Sequence, residues 1–143
     1  MLGPFHHIGC AVKDLDASLQ RYQALLGASA RRSRVFDVPS QAVRVCFVEI
    51  APRSYLELVA ATASPSPIER YCRTGFYHLC FLVGDLAATL AAIGREYRPL
   101  PAFESEAFGG RRCQFVVTPE SHLLELAETT AESFASFFDA HVM

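Results

Sequence analysis

The sequence of 143 residues lacks a long hydrophobic segment and an excess of basic residues. No apolar run approaches the roughly 18 residues that a membrane-spanning helix requires, so no membrane association is expected. The net charge of −2 argues against a broad nucleic-acid interface, which needs a basic face. The first residues show neither a cationic region nor an apolar core, so we expect no signal peptide.

The cysteines do not form a disulfide pattern. Their number is five, no Cys-x-x-Cys pair occurs, and most of them lie in apolar, strand-like runs. We therefore expect buried free thiols and a cytoplasmic protein. With 51% hydrophobic and 20% charged residues, the chain is expected to fold as one domain spanning residues 1–143.

A repeated segment organises the sequence. Residues 5–15 recur in the second half at an offset of 71, so that His7 matches His78 (78 − 7 = 71) and Asp14 matches Asp85 (85 − 14 = 71). A fixed offset across half of the chain indicates a duplicated structural unit. In both copies an apolar strand carries the histidine and ends at an aspartate that can cap a helix.

Each copy predicts a β-α-β-β-β module, and together they predict an α+β fold. The expected strands are 5–12, 34–38, 43–50 and 55–60 in the first copy, and 77–83, 97–100, 112–117 and 122–127 in the second. The expected helices are 15–26 and 86–95. The predicted segments are module one at about 5–63, a linker helix at about 64–74, module two at about 75–128 and a helical tail at 129–143.

Strand alternation predicts that His7 and His78 point into a cleft between the two sheets. The last strand of each module adds one glutamate between leucines, Glu57 and Glu125. A carboxylate in that setting is rarely buried without a partner. Two histidines and two carboxylates that converge on one cleft form a ligand set for a divalent metal ion. Either histidine alone would be read as an ordinary half-buried residue, but the duplication favours a metal site.

Other candidate residues have less support. His6 has the opposite parity to His7, so it is expected either to support the ligand or to be structural. His122 and His141 have no repeat partner and are expected at the surface. Cys80 shares the parity of His78, and packing is its favoured role. The tail places Phe134, Phe137 and Phe138 on one helical face, which suggests core or dimer packing.

These motifs resemble the vicinal oxygen chelate superfamily, which contains glyoxalases, bleomycin resistance proteins and dioxygenases. Within it the chain is most similar to the methylmalonyl-CoA epimerase family, on segments 38–45, 55–58 and 66–68 and on the Gly109-Gly110 loop. The resemblance covers the chain to about residue 128. It implies a glyoxalase-like fold, a homodimer and metal ligands at His7, Glu57, His78 and Glu125, with cobalt, manganese, nickel, iron or zinc as the ion.

The resemblance implies abstraction of a proton α to a carbonyl, on an acyl thioester. Some epimerases carry a glutamate base at the position of Val45, and valine cannot accept a proton. Glu57 and Glu125 are therefore the candidate catalytic bases, with Glu125 as the first choice. The final hairpin is also shorter than that of the family. The ligand set equally fits a lactoylglutathione lyase acting on a thiol adduct, and a small-molecule binding protein of the resistance type is a third alternative.

Overall fold

The computed structural model describes residues 2–70 and 74–143, and within them nine strands and three α-helices. The strands are β1 Phe5–Ala11, β2 Phe36–Val38, β3 Val43–Ala51, β4 Ser54–Ala61, β5 Gly75–Val83, β6 Arg98–Pro99, β7 Phe103–Ser105, β8 Arg111–Val117 and β9 Leu123–Glu128. The helices are α1 Leu15–Leu26, α2 Leu86–Ile93 and α3 Ala131–Ala140. None of these helices is long and apolar enough to cross a membrane.

One curled mixed sheet contains the described strands, in the order β2-β3-β4-β1-β5-β9-β8-β6, with β7 also paired to β8. In each half the first strand runs parallel to the last one, β1 with β4 and β5 with β9. The two halves join where β1 pairs antiparallel with β5. The predicted α+β fold of two repeated modules is confirmed, and its two leading strands lie side by side at the centre.

The repeated aspartates begin the two module helices. The Asp14 side chain accepts a hydrogen bond from the Ala17 amide at 3.0 Å, and Asp85 accepts one from the Ala88 amide at 2.9 Å. Both bonds satisfy donors that a helix start leaves without a partner. In the first module, Leu15 and Leu19 then pack against alternate side chains of the sheet. One face of the sheet is therefore covered by the helices, and the opposite face lines the interior.

The interior face holds the largest buried cluster, and much of it is aromatic. Its aromatic members are Phe36, Phe47, Tyr55, Phe108, Phe134 and Phe138. Phe134 and Phe138 come from α3, which therefore packs on its own chain. Tyr55 contacts both of them, at ring-centroid distances of 5.0 Å each. Packing of the tail phenylalanines in the core is thus observed, as one of the two predicted alternatives.

Three local predictions differ from the structure. The second half contains an additional short strand, β7, so that it has one strand more than the first half. The predicted linker helix is a 3₁₀ helix at Pro67–Arg70, shorter than the predicted span of about 64–74, and residues 71–73 of that span lie outside the described residues. α2 ends at Ile93, before Gly94, which has a φ of 96°. That left-handed conformation favours glycine and explains the early stop.

Candidate metal centre

The central strand pair brings the two repeated histidines together. In the β1–β5 register, Gly9 lies opposite His78 and Cys80 lies opposite His7. Gly9 and Cys80 are themselves equivalent in the repeat (80 − 9 = 71). A Cβ atom at Gly9 would overlap the His78 ring, so glycine provides the space that this side chain occupies. Both histidines are buried, His7 at 0% and His78 at 4% exposure.

The two glutamates reach the same place from the last strand of each module. Glu57 on β4 lies between Leu56 and Leu58, which point away from the interior into the cluster beneath α1. Strand alternation therefore turns Glu57 inward. Glu125 on β9 is placed in the same way, with its neighbour Leu126 in the cluster beneath α2.

The four side chains form one compact group whose ligand atoms all lie within 4.8 Å of one another. The two Nε2 atoms of His7 and His78 are 2.9 Å apart. His7 Nε2 lies 3.5 Å from Glu57 Oε1 and 3.2 Å from Glu125 Oε1. For His78 Nε2 the corresponding distances are 3.6 Å and 3.7 Å. The structure thus brings together all four residues that the sequence indicated.

The environment shifts the proton affinity of these groups in different directions. Burial lowers the pKa of His7 to about 4, so the ring is neutral at pH 7. Burial and the nearby Glu125 carboxylate raise the pKa of Glu57 well above its ordinary value. Burial acts on Glu125 in the same sense, but the nearby His7 and His78 rings outweigh it and lower the pKa of Glu125. Glu57 therefore holds a proton more tightly than Glu125 does.

This group fits a divalent cation. Metal–nitrogen bonds of about 2.0–2.1 Å at tetrahedral or octahedral angles place neighbouring ligand atoms roughly 3.0–3.4 Å apart. The observed separations of 2.9–3.7 Å lie close to that range. Glu125 Oε1 is buried and has no hydrogen-bond partner among the described residues. Neutral imidazoles and carboxylates are ligands that transition metals accept, so these four residues could hold a metal ion.

His6 lies inside the fold, which corrects the predicted parity. Alternation placed it on the opposite side from His7, yet its ring is 2% exposed and contacts Phe47 and Phe108 in the interior cluster. The cause is an irregular register of β1 between Phe5 and His7, where the pairing with β5 skips one residue. Such bulges re-aim side chains. His6 Nδ1 lies 2.8 Å from His7 Nδ1.

Cys80 is fully buried in the interior cluster, and its Sγ lies close to His6 and His7. Burial, followed by the Glu125 charge, raises the pKa of the Cys80 thiol well above its ordinary value. A neutral thiol is a poor metal ligand, so packing is the better supported role. His122 is exposed as predicted, whereas His141 is partly buried and bonded to the Phe137 carbonyl at 2.7 Å. The four described cysteines are buried and form no disulfide bond.

A cavity leads to the four-residue group. It has a volume of about 630 Å³ and is lined in part by the Pro67–Arg70 helix, Leu100 and Pro101. A small pocket beside it is lined by Val45, Glu57 and Glu125. Gln41, Ile68, Tyr77 and Phe115 line both spaces, so the cavity and the pocket at the glutamates are neighbours with shared walls. Sequence analysis predicted a cleft but not these lining residues, because they come from loops and strand ends far apart in the chain.

Comparison with known proteins identifies the family of this chain and enzymes that resemble it. A model of the Glyoxalase/Bleomycin resistance protein/Dioxygenase superfamily matches residues 6–115. The Ethylmalonyl-CoA/methylmalonyl-CoA epimerase of Cereibacter sphaeroides is 33% identical over 92 residues. That match covers 62% of this chain and 66% of the relative, just under two thirds of its length.

Solved structures show the same fold. A variant of Streptomyces coelicolor methylmalonyl-CoA epimerase in complex with 2-nitronate-propionyl-CoA superposes with a TM-score of 0.75 at 26% identity, covering 89% of this chain and 97% of that one. Methylmalonyl-CoA epimerase from Mycobacterium tuberculosis gives a TM-score of 0.75 at 24% identity, with 94% and 93% coverage. With most of its length matched by the family model, this chain belongs to the glyoxalase/bleomycin resistance protein/dioxygenase superfamily.

Proposed function

We propose that this protein is a divalent-metal-dependent epimerase that inverts the carbon next to the carbonyl of an acyl-CoA thioester. The observation that carries the proposal is the buried set His7, Glu57, His78 and Glu125, which adjoins a cavity open to a ligand. Similarity to methylmalonyl-CoA epimerases supports the choice of reaction and of substrate class.

The four side chains would hold one ion of cobalt, manganese, nickel, iron or zinc. Such an ion would act as a Lewis acid that stabilises the negative charge of an enolate. They would bind it as imidazoles and carboxylates, and binding would favour the ionised form of Glu57, since a metal ligand must be deprotonated.

The unequal glutamates suit a reaction with one base and one acid. Epimerisation breaks a C–H bond on one face of the α-carbon and forms a new one on the other face, so two groups on opposite sides are needed. We assign the first step to Glu125, whose carboxylate takes the proton and leaves the electron pair in the enolate. Glu57, from the other module, would take up a proton from water and deliver it to the opposite face. Groups whose environments separate their pKa values typically divide acid and base roles in this way.

The cavity has the size of a small-molecule site. Ligand pockets span roughly 300–1,000 Å³, and the cavity of about 630 Å³ lies within that range. The small pocket beside it would take the acyl group, next to Glu57 and Glu125, while the rest of the thioester occupies the larger space. Val45 lines the small pocket and offers an apolar wall.

A metal-dependent lyase is the second candidate, and Val45 is the observation in its favour. Some related epimerases place a glutamate base at this position, whereas valine provides none, as the sequence indicated. A lyase that acts on the adduct of methylglyoxal and glutathione would use the same four ligands. A binding protein of the resistance type has less support, because the complete set of ligands would then have no purpose.

Proton exchange in D₂O tests the proposal. Metal-loaded protein would be mixed with methylmalonyl-CoA, other 2-substituted acyl thioesters and the methylglyoxal–glutathione adduct, and deuterium at the α-carbon would be followed by NMR. We expect exchange with an acyl thioester that chelation abolishes, and unchanged exchange for the control Glu104→Gln at an exposed site on β7. Turnover of the glutathione adduct alone would favour the lyase, and no exchange from metal-loaded protein would contradict both.

The homodimer, the cytoplasmic location and the module boundaries given above stay predictions. Sedimentation equilibrium at several protein concentrations tests the dimer directly. A mass of one chain at all concentrations would contradict it.

A further inference from the structure

His6 occupies an unusual environment for a polar side chain. Four aromatic rings surround it, at centroid distances of 5.5 Å for Phe47, 4.8 Å for Tyr55, 5.1 Å for Phe108 and 4.1 Å for Phe134. His6 Nε2 is buried and has no hydrogen-bond partner among the described residues. Leaving such a group unpaired costs about 1–3 kcal/mol, so a phenylalanine would fill this space with less penalty.

Within the described part of the chain, the His6 ring forms one hydrogen bond, the 2.8 Å contact between His6 Nδ1 and His7 Nδ1. One of these nitrogens must carry the hydrogen and the other must accept it. If His6 donates, the hydrogen of neutral His7 is on Nε2, and that atom cannot bind a cation. If His7 donates, its Nε2 presents a lone pair to Glu57, His78 and Glu125. The direction of one hydrogen bond therefore decides whether His7 can be a ligand.

We propose that His6 is a positioning residue that accepts the Nδ1–H of His7 and holds His7 in the tautomer whose Nε2 faces the metal-binding group. The inference rests on the metal site of the proposed function and not on its substrate. Histidine ligands usually donate their second N–H to a carboxylate, a carbonyl or a water molecule, which fixes the tautomer and the ring orientation. In this protein a second imidazole takes that place.

The bulge of β1 and the aromatic rings explain how His6 is held in place. The irregular register between Phe5 and His7 turns His6 inward, next to the ring that it contacts. Rings from β3, from β4, from the segment before β8 and from α3 then fix its orientation. The other histidine of the site has no equivalent, because His78 Nδ1 lacks a hydrogen-bond partner among the described residues.

Variants at His6 separate this role from packing. The amide oxygen of Asn follows the position of Nδ1, whereas the amide of Gln reaches further and follows Nε2. His6→Asn should therefore keep an acceptor for His7, and His6→Gln and His6→Leu should lose it. We expect metal affinity, measured by competition with a chromogenic chelator for Zn²⁺, to fall about 10–100-fold in His6→Leu and His6→Gln, and to stay close to wild type in His6→Asn.

The tautomer itself can be read from the metal-free protein by long-range ¹H–¹⁵N NMR of the histidine rings. We expect the hydrogen of His7 on Nδ1 in the wild type and in His6→Asn, and a shift toward Nε2 in His6→Leu. Hydrogen on His7 Nε2 in the wild type, or equal metal affinity in all variants, would overturn the proposal. If His6→Leu does not fold, the wild-type spectrum and the metal affinities of His6→Asn and His6→Gln still test the proposal. Neither readout uses a substrate, so failure of the exchange assay would not be confused with failure here.

Discussion

The two modules place a histidine and a glutamate at matched positions but surround them differently. His7 contacts a second imidazole at 2.8 Å, whereas His78 Nδ1 has no hydrogen-bond partner among the described residues. The pKa of Glu57 is raised by burial and by repulsion from Glu125, while the two nearby histidine rings lower the pKa of Glu125. The duplication thus accounts for the ligand types, and the different surroundings account for the unequal proton affinities of the two glutamates.

The same contrast appears in the walls of the site. On the side of the first module, α3 fills the interior with Phe134 and Phe138, which pack around Tyr55. On the other side, the cavity lies open between the Pro67–Arg70 helix and Leu100. Side chains of α3 therefore fill the interior on one side of the site, and the cavity lies on the other side.

The largest expected effect concerns the filled wall. Phe134→Ala removes a ring that is 3% exposed and touches His6, Phe47 and Tyr55. We expect a loss of about 3–5 kcal/mol in the free energy of unfolding, because the cavity left by a buried phenylalanine is refilled incompletely. Urea denaturation measures it. The control Phe76→Ala, at a side chain 65% exposed, should change stability by about 0.5 kcal/mol or less. Equal losses would contradict the packing of α3 on this wall.

The next prediction tests the close approach of Gly9 on β1 to His78 on β5. Gly9→Ala places a methyl group where the His78 ring lies. We expect displacement of that ring and a fall in metal affinity of about 100-fold, the usual consequence of misplacing a functional group by about 1 Å. Isothermal titration with Zn²⁺ measures it. Gly84→Ala is the matched control, because a Cβ atom there meets nothing within 4 Å. Wild-type affinity in Gly9→Ala would show that the ring can move without cost.

The pH dependence of stability reports the unequal protonation. Below about pH 6.5 the unfolded chain protonates His6 and His7, whose pKa values the fold lowers, so each makes stability fall with falling pH. Glu57 acts in the opposite sense, because its raised pKa lets the folded state hold a proton that the unfolded state has lost. Between about pH 5 and 6 the two histidines and Glu57 therefore act against each other, and their sum sets the slope of stability against pH.

For metal-free protein, Glu57→Gln should make stability rise more steeply with pH across that window, and His6→Asn should make it rise less steeply. Denaturation at several pH values in the presence of a chelator measures both. A slope that Glu57→Gln leaves unchanged would mean that Glu57 is ionised in the folded protein.

The smallest effect is expected at the partner of Gly9 in the repeat. Cys80→Ala removes a buried thiol that packs in the interior and is neutral at pH 7. We expect a loss of roughly 1 kcal/mol in stability, near the low end for deletion of a buried group. The Zn²⁺ affinity should be unchanged in the same titration. A large fall in affinity would identify Cys80 as a ligand and contradict the assignment of the site to two histidines and two glutamates.

The sequence predicted the parts of the fold that depend on periodicity. The repeat predicted both helix caps, the paired strands and the inward direction of His7, Glu57, His78 and Glu125, because strand alternation and capping are local rules. The inward position of His6 could not be predicted, since a bulge is an irregularity in the pairing of β1 with β5. The different proton affinities of the two glutamates could not be predicted either, because they depend on burial and on contacts between modules.

Deuterium incorporation resolved by epimer tests the central claim that the two glutamates act on opposite faces of the substrate. Metal-loaded Glu125→Gln and Glu57→Gln would each be incubated in D₂O with the separate epimers of methylmalonyl-CoA and followed by NMR, after the metal content of each variant is measured. The account predicts loss of epimerisation in both variants, with residual exchange of a different epimer in each. Wild-type epimerisation in either variant, or loss of exchange from the same single epimer in both, would contradict it.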